Sequence, residues 1–219
     1  MTDCPAPAKI LIVDDHPLVR EGLALRISTQ QDMIVCGEAA TEQEALAQAR
    51  TTSPDLVIVD ICLQSGHGID VIKQIKSRHP AVKMLVLSAY RESLYAERAL
   101  RAGALGYLNK QESNEKLLDA IRTVLAGQRF VSQEITQRLV GQALGSTDQG
   151  ASPIEGLTDR ELEIFRMIGE GLTSSAIANR LLISCHTIDT HRENIKRKLG
   201  AKNAAELSRQ AVQWVLESG

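Results

Sequence analysis

Four cysteines in 219 residues (Cys4, Cys36, Cys62 and Cys185) stand far apart, and no two form a C-x-x-C pair. That spacing excludes a disulfide framework and the ligand pattern of a structural zinc. It leaves reduced thiols in a cytosol as the plain reading. No apolar run approaches the roughly 18 residues that a membrane span needs. Met1 to Ala8 has neither a positive start nor an apolar stretch, so no secretory leader is expected. An excess of one charge is lacking too. The net charge is −2, and no global basic field marks the chain for nucleic acid.

What is present is ordinary for a soluble globular protein, with 43% hydrophobic and 24% charged residues. The length allows one large or two ordinary domains. Up to residue 155 the chain holds 16 Lys and Arg against 19 Asp and Glu, and from 156 onward 9 against 8. Within the second part, Arg192, Lys196, Arg197, Lys198 and Lys202 cluster with Glu193 as the one acidic residue among them. Local patches of this kind matter more than totals.

The stretch with most to say is Asp55-Leu56-Val57-Ile58-Val59-Asp60. Four apolar residues, three of them β-branched, lie between Pro54 and the turn formers Gln64, Ser65, Gly66 and Gly68. This predicts a short strand buried on both faces, as in parallel sheets covered by helices. Asp60 then stands at the strand's carboxyl end, where open α/β sheets place their sites. On this stretch alone, a helix-capping role for Asp60 is equally good.

The neighbours repeat the theme. Lys9 to Val13 is an apolar run closed by Asp14 and Asp15, and His16-Pro17 opens a helical pattern with Pro well placed at a helix start. Met33 to Ala39 reads as a strand, and Thr41-Glu42-Gln43-Glu44 has capping-box spacing. Gly68 to Arg78 is helical. Val82 to Leu87 is a strand ending at Ser88, and Glu92 to Ala102 is a helix stopped by Gly103. Leu105 to Asn109 is a strand ending at Lys110, and Ser113 starts a last helix. Five such βα units predict a doubly wound parallel sheet, a (βα)5 α/β domain, joined by right-handed crossovers.

That topology brings Asp14, Asp15, Asp60, Ser88 and Lys110 to one rim. Three carboxylates close together repel unless a cation sits among them, and Mg²⁺ prefers oxygen ligands near phosphate. One carboxylate can then attack phosphorus and become an acyl phosphate. Lys110 would pair with the incoming charge and the Ser88 hydroxyl would donate to it. Each residue also has a plain reading. Asp14 or Asp15 could cap the helix at Pro17, and Ser88 could cap the helix after it. Tyr107 could be strand core with its hydroxyl at the surface, and Lys110 a solvated loop residue. Taken singly, the plain readings of Ser88, Tyr107 and Lys110 are the stronger; taken jointly they fail, because chance does not gather all of these residues on one rim.

Residues 8 to about 127 resemble the receiver domain of two-component response regulators, on Asp14-Asp15, Asp60, Ser88 and Lys110 in order. Asp14-Asp15-His16-Pro17-Leu18-Val19-Arg20-Glu21-Gly22-Leu23 resembles more narrowly the NarL/FixJ subfamily. The resemblance implies that Asp60 accepts phosphate from a sensor histidine kinase. It implies that Asp15, Asp60 and the Cys62 backbone carbonyl bind Mg²⁺, with Asp14 behind them, and that Ser88 and Tyr107 are a switch pair. Gln111 stands where many receivers have proline. Cys62 and Tyr90 occupy positions that in the family tune phosphate lifetime, and bulky Tyr90 is expected to shield the acyl phosphate.

Residues 129–156 read as a linker carrying one helix, Gln133 to Leu144, before the turn-forming stretch Gly145 to Pro153. The helix could pack on either neighbour. Residues 157–219 read as a second, all-α domain of four helices. Thr158-Asp159-Arg160-Glu161 is a capping box, Thr173 caps a second helix and Ser184 a third over Cys185 to Leu199, and a fourth runs from about Asn203 to Leu216. The second and third helices, joined at Leu182-Ile183, form a helix-turn-helix pattern. The third helix exposes His186, Asp189, Thr190, Glu193 and Arg197, flanked by Asn194 and Lys196. The plain reading of its basic cluster is a solvated face with a Glu193–Arg197 pair. Asp189 and Glu193 suit DNA only by accepting from cytosine. Cys185 and His191 invite a metal reading, but His191 falls on the apolar side, as core.

Leu157 to Ala211 resembles the LuxR-type helix-turn-helix, on Leu157-Thr158, Arg160-Glu161, Glu170-Gly171-Leu172, Ile177-Ala178, Ser184, Thr187-Ile188, His191, Ile195 and Lys198-Leu199. This implies a third helix on double-stranded promoter DNA, with Ser184, His186, Thr187, Asp189, Thr190, Glu193, Arg197, Lys198 and Lys202 as contact residues. It implies dimer contacts through the fourth helix. The expectation is a cytoplasmic transcription regulator and not an enzyme, with no membrane partner, in which phosphorylation of Asp60 favours homodimerisation and promoter binding. Unphosphorylated, the receiver would cover the recognition helix or prevent dimerisation. A phosphohydrolase of the haloacid-dehalogenase type needs D-x-D with its nucleophile on the first strand, which this chain lacks. A phosphorylation-independent regulator with a vestigial receiver is opposed by the intact acidic set.

Overall fold

The computed structural model describes residues 6–63, 67–90, 92–144 and 153–218. The turn formers Gln64, Ser65 and Gly66, and the linker stretch 145–152, lie outside the described residues. The chain divides into two compact units, Met1–Arg138 and Leu139–Gly219.

The first unit alternates strand and helix. In chain order it contains β1 (Ala8–Val13), α1 (Pro17–Ser28), β2 (Met33–Ala39), α2 (Glu42–Thr52), β3 (Leu56–Val59), α3 (Gly68–Arg78), β4 (Lys83–Ser88), α4 (Glu92–Ala102), β5 (Gly106–Asn109) and α5 (Asn114–Leu125). The strands form one parallel sheet in the order β2-β1-β3-β4-β5. Every residue of β3 is buried. Ile10, Ile12, Leu56, Ile58 and Leu85 face Leu23 and Ile27 of α1 and Leu117, Ile121 and Val124 of α5. On the other face, α2 packs on β1 and β2, α3 on β3 and α4 on β5.

The predicted capping box at Thr41 forms in a shifted version. Thr41 accepts from the Glu44 N–H, but the Glu44 carboxylate reaches back to the Ala40 N–H (2.8 Å) and not to that of Thr41. At α1 no side chain caps; His16 is the N-cap and Pro17 the first helical residue. Pro17 has no N–H to leave unsatisfied there.

Beyond α5 the chain returns to the sheet. Phe130 bridges Gly106, its carbonyl accepting from the Tyr107 N–H (2.8 Å) and its N–H donating to Leu105 (3.0 Å). Edge strand β5 is thereby covered. The Ser132 N–H donates to the Glu92 carboxylate (2.7 Å), and the Ser132 hydroxyl accepts from the Ile135 N–H (3.2 Å). Thus α6 (Gln133–Ala143) starts anchored on the first unit, with Ile135 buried.

The second unit opens with a 3-10 turn, Pro153–Gly156, followed by α7 (Asp159–Gly169), α8 (Ser174–Leu181), α9 (Cys185–Leu199) and α10 (Ala204–Ser218). The capping box at Thr158 is complete. Leu162, Phe165 and Ile168 are spaced as one apolar face of α7, but all residues from Glu161 to Ile168 are buried. α7 is the central helix, packed by both α9 and α10. A Cβ on Gly169 would stand 2.4 Å from the Ala211 carbonyl, so α10 lies directly on the α7 backbone. The charges on α7 are paired, Arg160 with Glu163 (2.7 Å) and Arg166 with Glu170. No described helix is long and apolar enough to cross a membrane.

Candidate functional site

The strand order reverses direction between β1 and β3, which run side by side with Val13 level with Val59. Ligands of open α/β sheets bind outside the carboxyl ends at such a point. The Asp60 N–H donates to the Val13 carbonyl (2.8 Å), holding the end of β3 against the end of β1. One strand further, the Lys110 N–H donates to the Ser88 carbonyl (2.8 Å). The backbone alone therefore places Asp14, Asp15, Asp60, Ser88 and Lys110 on one rim.

The side chains converge there. Lys110 Nζ lies 2.8 Å from Asp60 Oδ2 and 2.6 Å from Asp14 Oδ2. Asp14 and Asp60 are almost fully buried, and Ser88 is 0% exposed. Burial pushes the Asp60 carboxyl up from its ordinary value, against the pull of Lys110. Burial acts to lower Lys110, but Asp60 and Asp14 outweigh it and hold the ammonium above its usual value. Three carboxylates thus meet one lysine, and the cluster is short of positive charge. Asp15 Oδ1 is buried and accepts no hydrogen bond. An orphaned acceptor in a surplus of carboxylates is the environment a hard divalent cation fits. Asp14, Asp15, His16 and Asp60 can each bring one donor atom within 4.8 Å of all the others.

Asp14 does not cap α1 in the ordinary way; its Oδ1 accepts the N–H of His16 (2.9 Å) and so shapes the turn into the helix. Ser88 Oγ accepts the Tyr90 N–H (3.3 Å). Tyr107 is fully buried, and its hydroxyl donates to the Tyr90 carbonyl (2.8 Å). The outward hydroxyl of an ordinary strand tyrosine is absent. Burial pushes the phenol far up, opposed by its hydrogen bond with Ser88. The Tyr90 ring packs on Tyr95, with centroids 5.7 Å apart.

Sequence reasoning missed three features of this rim: His16 beside the carboxylates, Gly68 against the Asp60 backbone, and the Glu92–Ser132 bond. His16 carried a signal, its adjacency to Asp14-Asp15. The Gly68 contact depends on how the loop after β3 folds back, and the Glu92–Ser132 bond joins segments 40 residues apart.

In the second unit, α8 and α9 meet at Leu182, which is left-handed (φ 54°) and exposed, and Ser184 caps α9 through the Thr187 N–H (3.1 Å). His186, Asp189, Thr190, Glu193 and Arg197 are all exposed along α9, and Thr187 is half-buried. Glu193 pairs with Lys196 (2.7 Å), not Arg197; Arg197 bonds to Asn194 (3.0 Å). His191 is half-buried. Lys202 is exposed at the foot of α10. Lys198 is an exposed residue, but its ammonium is engaged within the unit, Nζ lying 2.6 Å from Glu161 and 3.2 Å from the Gly156 carbonyl.

Burial acts to raise the Glu161 carboxyl, but its bonds with Lys198 and Thr158 outweigh that and hold it below the ordinary value of 4.5. A depressed carboxyl stabilises the fold above its unfolded pKa, and the contribution is lost as pH falls through the folded value. Lys198→Ala is therefore expected to destabilise this unit at neutral pH by about 1–2 kcal/mol, between an exposed and a buried pair. The deficit should shrink on acidification below pH 4.5, as read by thermal unfolding followed at Trp214.

Two families match the chain. The response regulator receiver domain matches residues 10–122, and the luxR family of bacterial regulatory proteins matches residues 155–211. The chain belongs to the LuxR-type response regulators. The oxygen regulatory protein NreC of Staphylococcus aureus is 34% identical over 94% of this chain and 97% of its own length. A LuxR-family two-component response regulator from Aurantimonas sp. SI85-9A1 is 35% identical, covering 64% of this chain and 99% of that chain, with a TM-score of 0.58. RcsB from Salmonella enterica serovar Typhimurium, solved on the promoter rprA with the phosphomimetic BeF3−, shares the fold. It is 24% identical, covers 93% of this chain and 97% of that chain, and has a TM-score of 0.67. The first unit is thus a receiver and the second a LuxR-type DNA-binding domain. Together they make a DNA-binding two-component response regulator.

Proposed function

We propose that Asp60 accepts a phosphoryl group from a sensor histidine kinase in the cytoplasm, and that the acyl phosphate favours homodimerisation and promoter binding. The observation that carries this is Lys110, whose ammonium bridges Asp60 and Asp14 on the rim that also holds Ser88. An Asp60 carboxylate oxygen attacks phosphorus, an O–P bond forms, and the P–N bond to the kinase imidazole breaks, with the imidazole taking up a proton. Lys110 stays paired with the charge carried in, and the Ser88 hydroxyl turns to donate to a phosphoryl oxygen, which draws on the Tyr90 N–H that its Oγ accepts. Asp15, Asp60 and the Cys62 carbonyl would hold Mg²⁺, with Asp14 behind; the ion would screen the carboxylates and the phosphoryl oxygens from one another.

The route out of the receiver runs through the loop from Ser88 to Glu92. Tyr107 holds the middle of that loop at Tyr90, and Glu92 holds the Ser132 N–H at the start of α6. A loop that moves when Ser88 changes partner therefore bears on the helix leading to the DNA-binding unit. Such a shift needs an arrangement whose stability differs between the two states. Tyr90 shields the acyl phosphate from water in this reading. Tyr90→Ala should lose phosphate several-fold faster, measured as decay of the phosphoprotein; slower loss would count against the shielding.

For the DNA side, α9 enters the major groove by its N-terminal end and the basic residues further along hold phosphates. Arg197→Ala or Lys202→Ala should each reduce the slope of log affinity against log salt by about one phosphate contact. Lys198, included among the DNA contacts by resemblance, has its ammonium on Glu161, and Lys198→Ala should leave the slope unchanged. Titration of selected operator DNA at several salt concentrations separates the three. The proposal as a whole is tested by incubating the protein with acetyl phosphate and Mg²⁺ and following both phosphoprotein and operator affinity.

A further inference from the structure

The strand end that carries Asp14 and Asp15 runs straight into His16, whose Nδ1 stands 2.9 Å from Asp15 Oδ1 and 3.2 Å from Asp14 Oδ1. The Asp15 side chain is 6% exposed, and its Oδ1 has no hydrogen bond. The hydrogen bond of the ring nitrogen goes to Asp14 Oδ1 instead. Neighbouring ligands around an octahedral ion at about 2.1 Å lie about 3 Å from each other. The Nδ1–Asp15 separation is an edge of that size.

We propose that His16 is a nitrogen ligand of the receiver's cation site and shifts its choice from Mg²⁺ toward Mn²⁺ and Co²⁺. The inference rests on reading the acidic rim as a cation site. Mg²⁺ favours oxygen and keeps its waters, whereas imidazole suits the borderline metals and adds more to binding along the series from Mn²⁺ to Co²⁺. The attachment of the ring is fixed. The His16 N–H is held by Asp14 Oδ1 (2.9 Å), and the next residue, Pro17, has a locked φ at the first position of α1. The ring itself is 63% exposed, so it can turn onto a metal without disturbing the core. The N-terminus of α1 opposes a cation with about half a positive charge, and three carboxylates outweigh it.

The test measures binding of Mn²⁺ and of Mg²⁺ to the full chain by calorimetry, in the native protein, His16→Ala and Asp15→Asn. Spin-echo spectra of the Mn²⁺-loaded proteins are recorded alongside. His16→Ala should lower the ratio of Mn²⁺ to Mg²⁺ association constants by about tenfold or more, chiefly through Mn²⁺. Native Mn²⁺ should show coupling to a ¹⁴N nucleus, which His16→Ala removes. If Mn²⁺ binding depends on Asp15 but the ratio and the ¹⁴N coupling are the same with and without His16, this inference falls alone. If native protein binds neither ion, or Asp15→Asn changes neither constant, the cation reading falls and this inference with it.

Discussion

Asp60→Asn takes up no phosphoryl group from acetyl phosphate and Mg²⁺, while the native chain gains the mass of one. The amide keeps the size and the burial of the carboxylate but has no anionic oxygen to attack phosphorus. Lys110 retains Asp14 at 2.6 Å, so the rim does not lose its cross-strand tie. The fold should tolerate the change. Burial raises Asp60 above its ordinary value. A raised carboxyl contributes stability below its unfolded pKa and loses it as pH rises through the folded value. At neutral pH without divalent cations, the native receiver therefore carries a buried charge that the amide removes. Thermal unfolding of Asp60→Asn under those conditions should occur at or above the native midpoint. Intact-mass spectra give the first result and calorimetry the second; phosphate on the variant would move the acceptor elsewhere.

Gly68→Ala should cripple the same chemistry without touching any charged group. A Cβ there would lie 2.1 Å from the Asp60 carbonyl oxygen and 2.7 Å from the Ile61 Cα, both backbone atoms that cannot swing aside. The Gly68 N–H also donates to the Ile61 carbonyl (2.8 Å), so the first residue of α3 rests directly on the segment that aims Asp60. Overpacking of this kind costs about 1–3 kcal/mol, which lowers the receiver's midpoint by a few degrees per kcal/mol. Displacing the nucleophile by as little as about 1 Å can slow transfer by about a hundredfold. The rate of phosphoprotein formation and the receiver's unfolding midpoint should fall together, while unfolding reported by Trp214 in the second unit stays where it was. A native rate would show that the α3 start is free to move away from Asp60.

The rim was legible because each of its residues ends an apolar run, and a parallel (βα)5 topology leaves such ends nowhere else to go. Asp14, Asp60, Ser88 and Lys110 could be placed together from pattern and chain order. Tyr107 was harder, since alternation shows that a strand tyrosine points inward but not whether its hydroxyl finds a partner; here the Tyr90 carbonyl supplies one. The attachment of α6 was not legible. Its apolar face reads the same whichever surface covers it, and only the Ser132–Glu92 bond and the burial of Ile135 show that it begins on the receiver. Lys198 is the same kind of case. In the sequence it belongs to a basic run on α9, and its partner Glu161 stands on α7, where it also closes the capping box with Thr158. Local patterns carry a residue's face and period; they do not carry which distant side chain claims it.

Phosphorylation at Asp60 is tied to DNA binding most directly by operator affinity measured on one DNA site for the native chain before and after phosphorylation, with phosphoprotein quantified in the same samples. Affinity should rise in proportion to the phosphorylated fraction and should not change in Asp60→Asn under the same treatment. Equal affinity in the two states, with phosphate demonstrably on Asp60, would contradict that link.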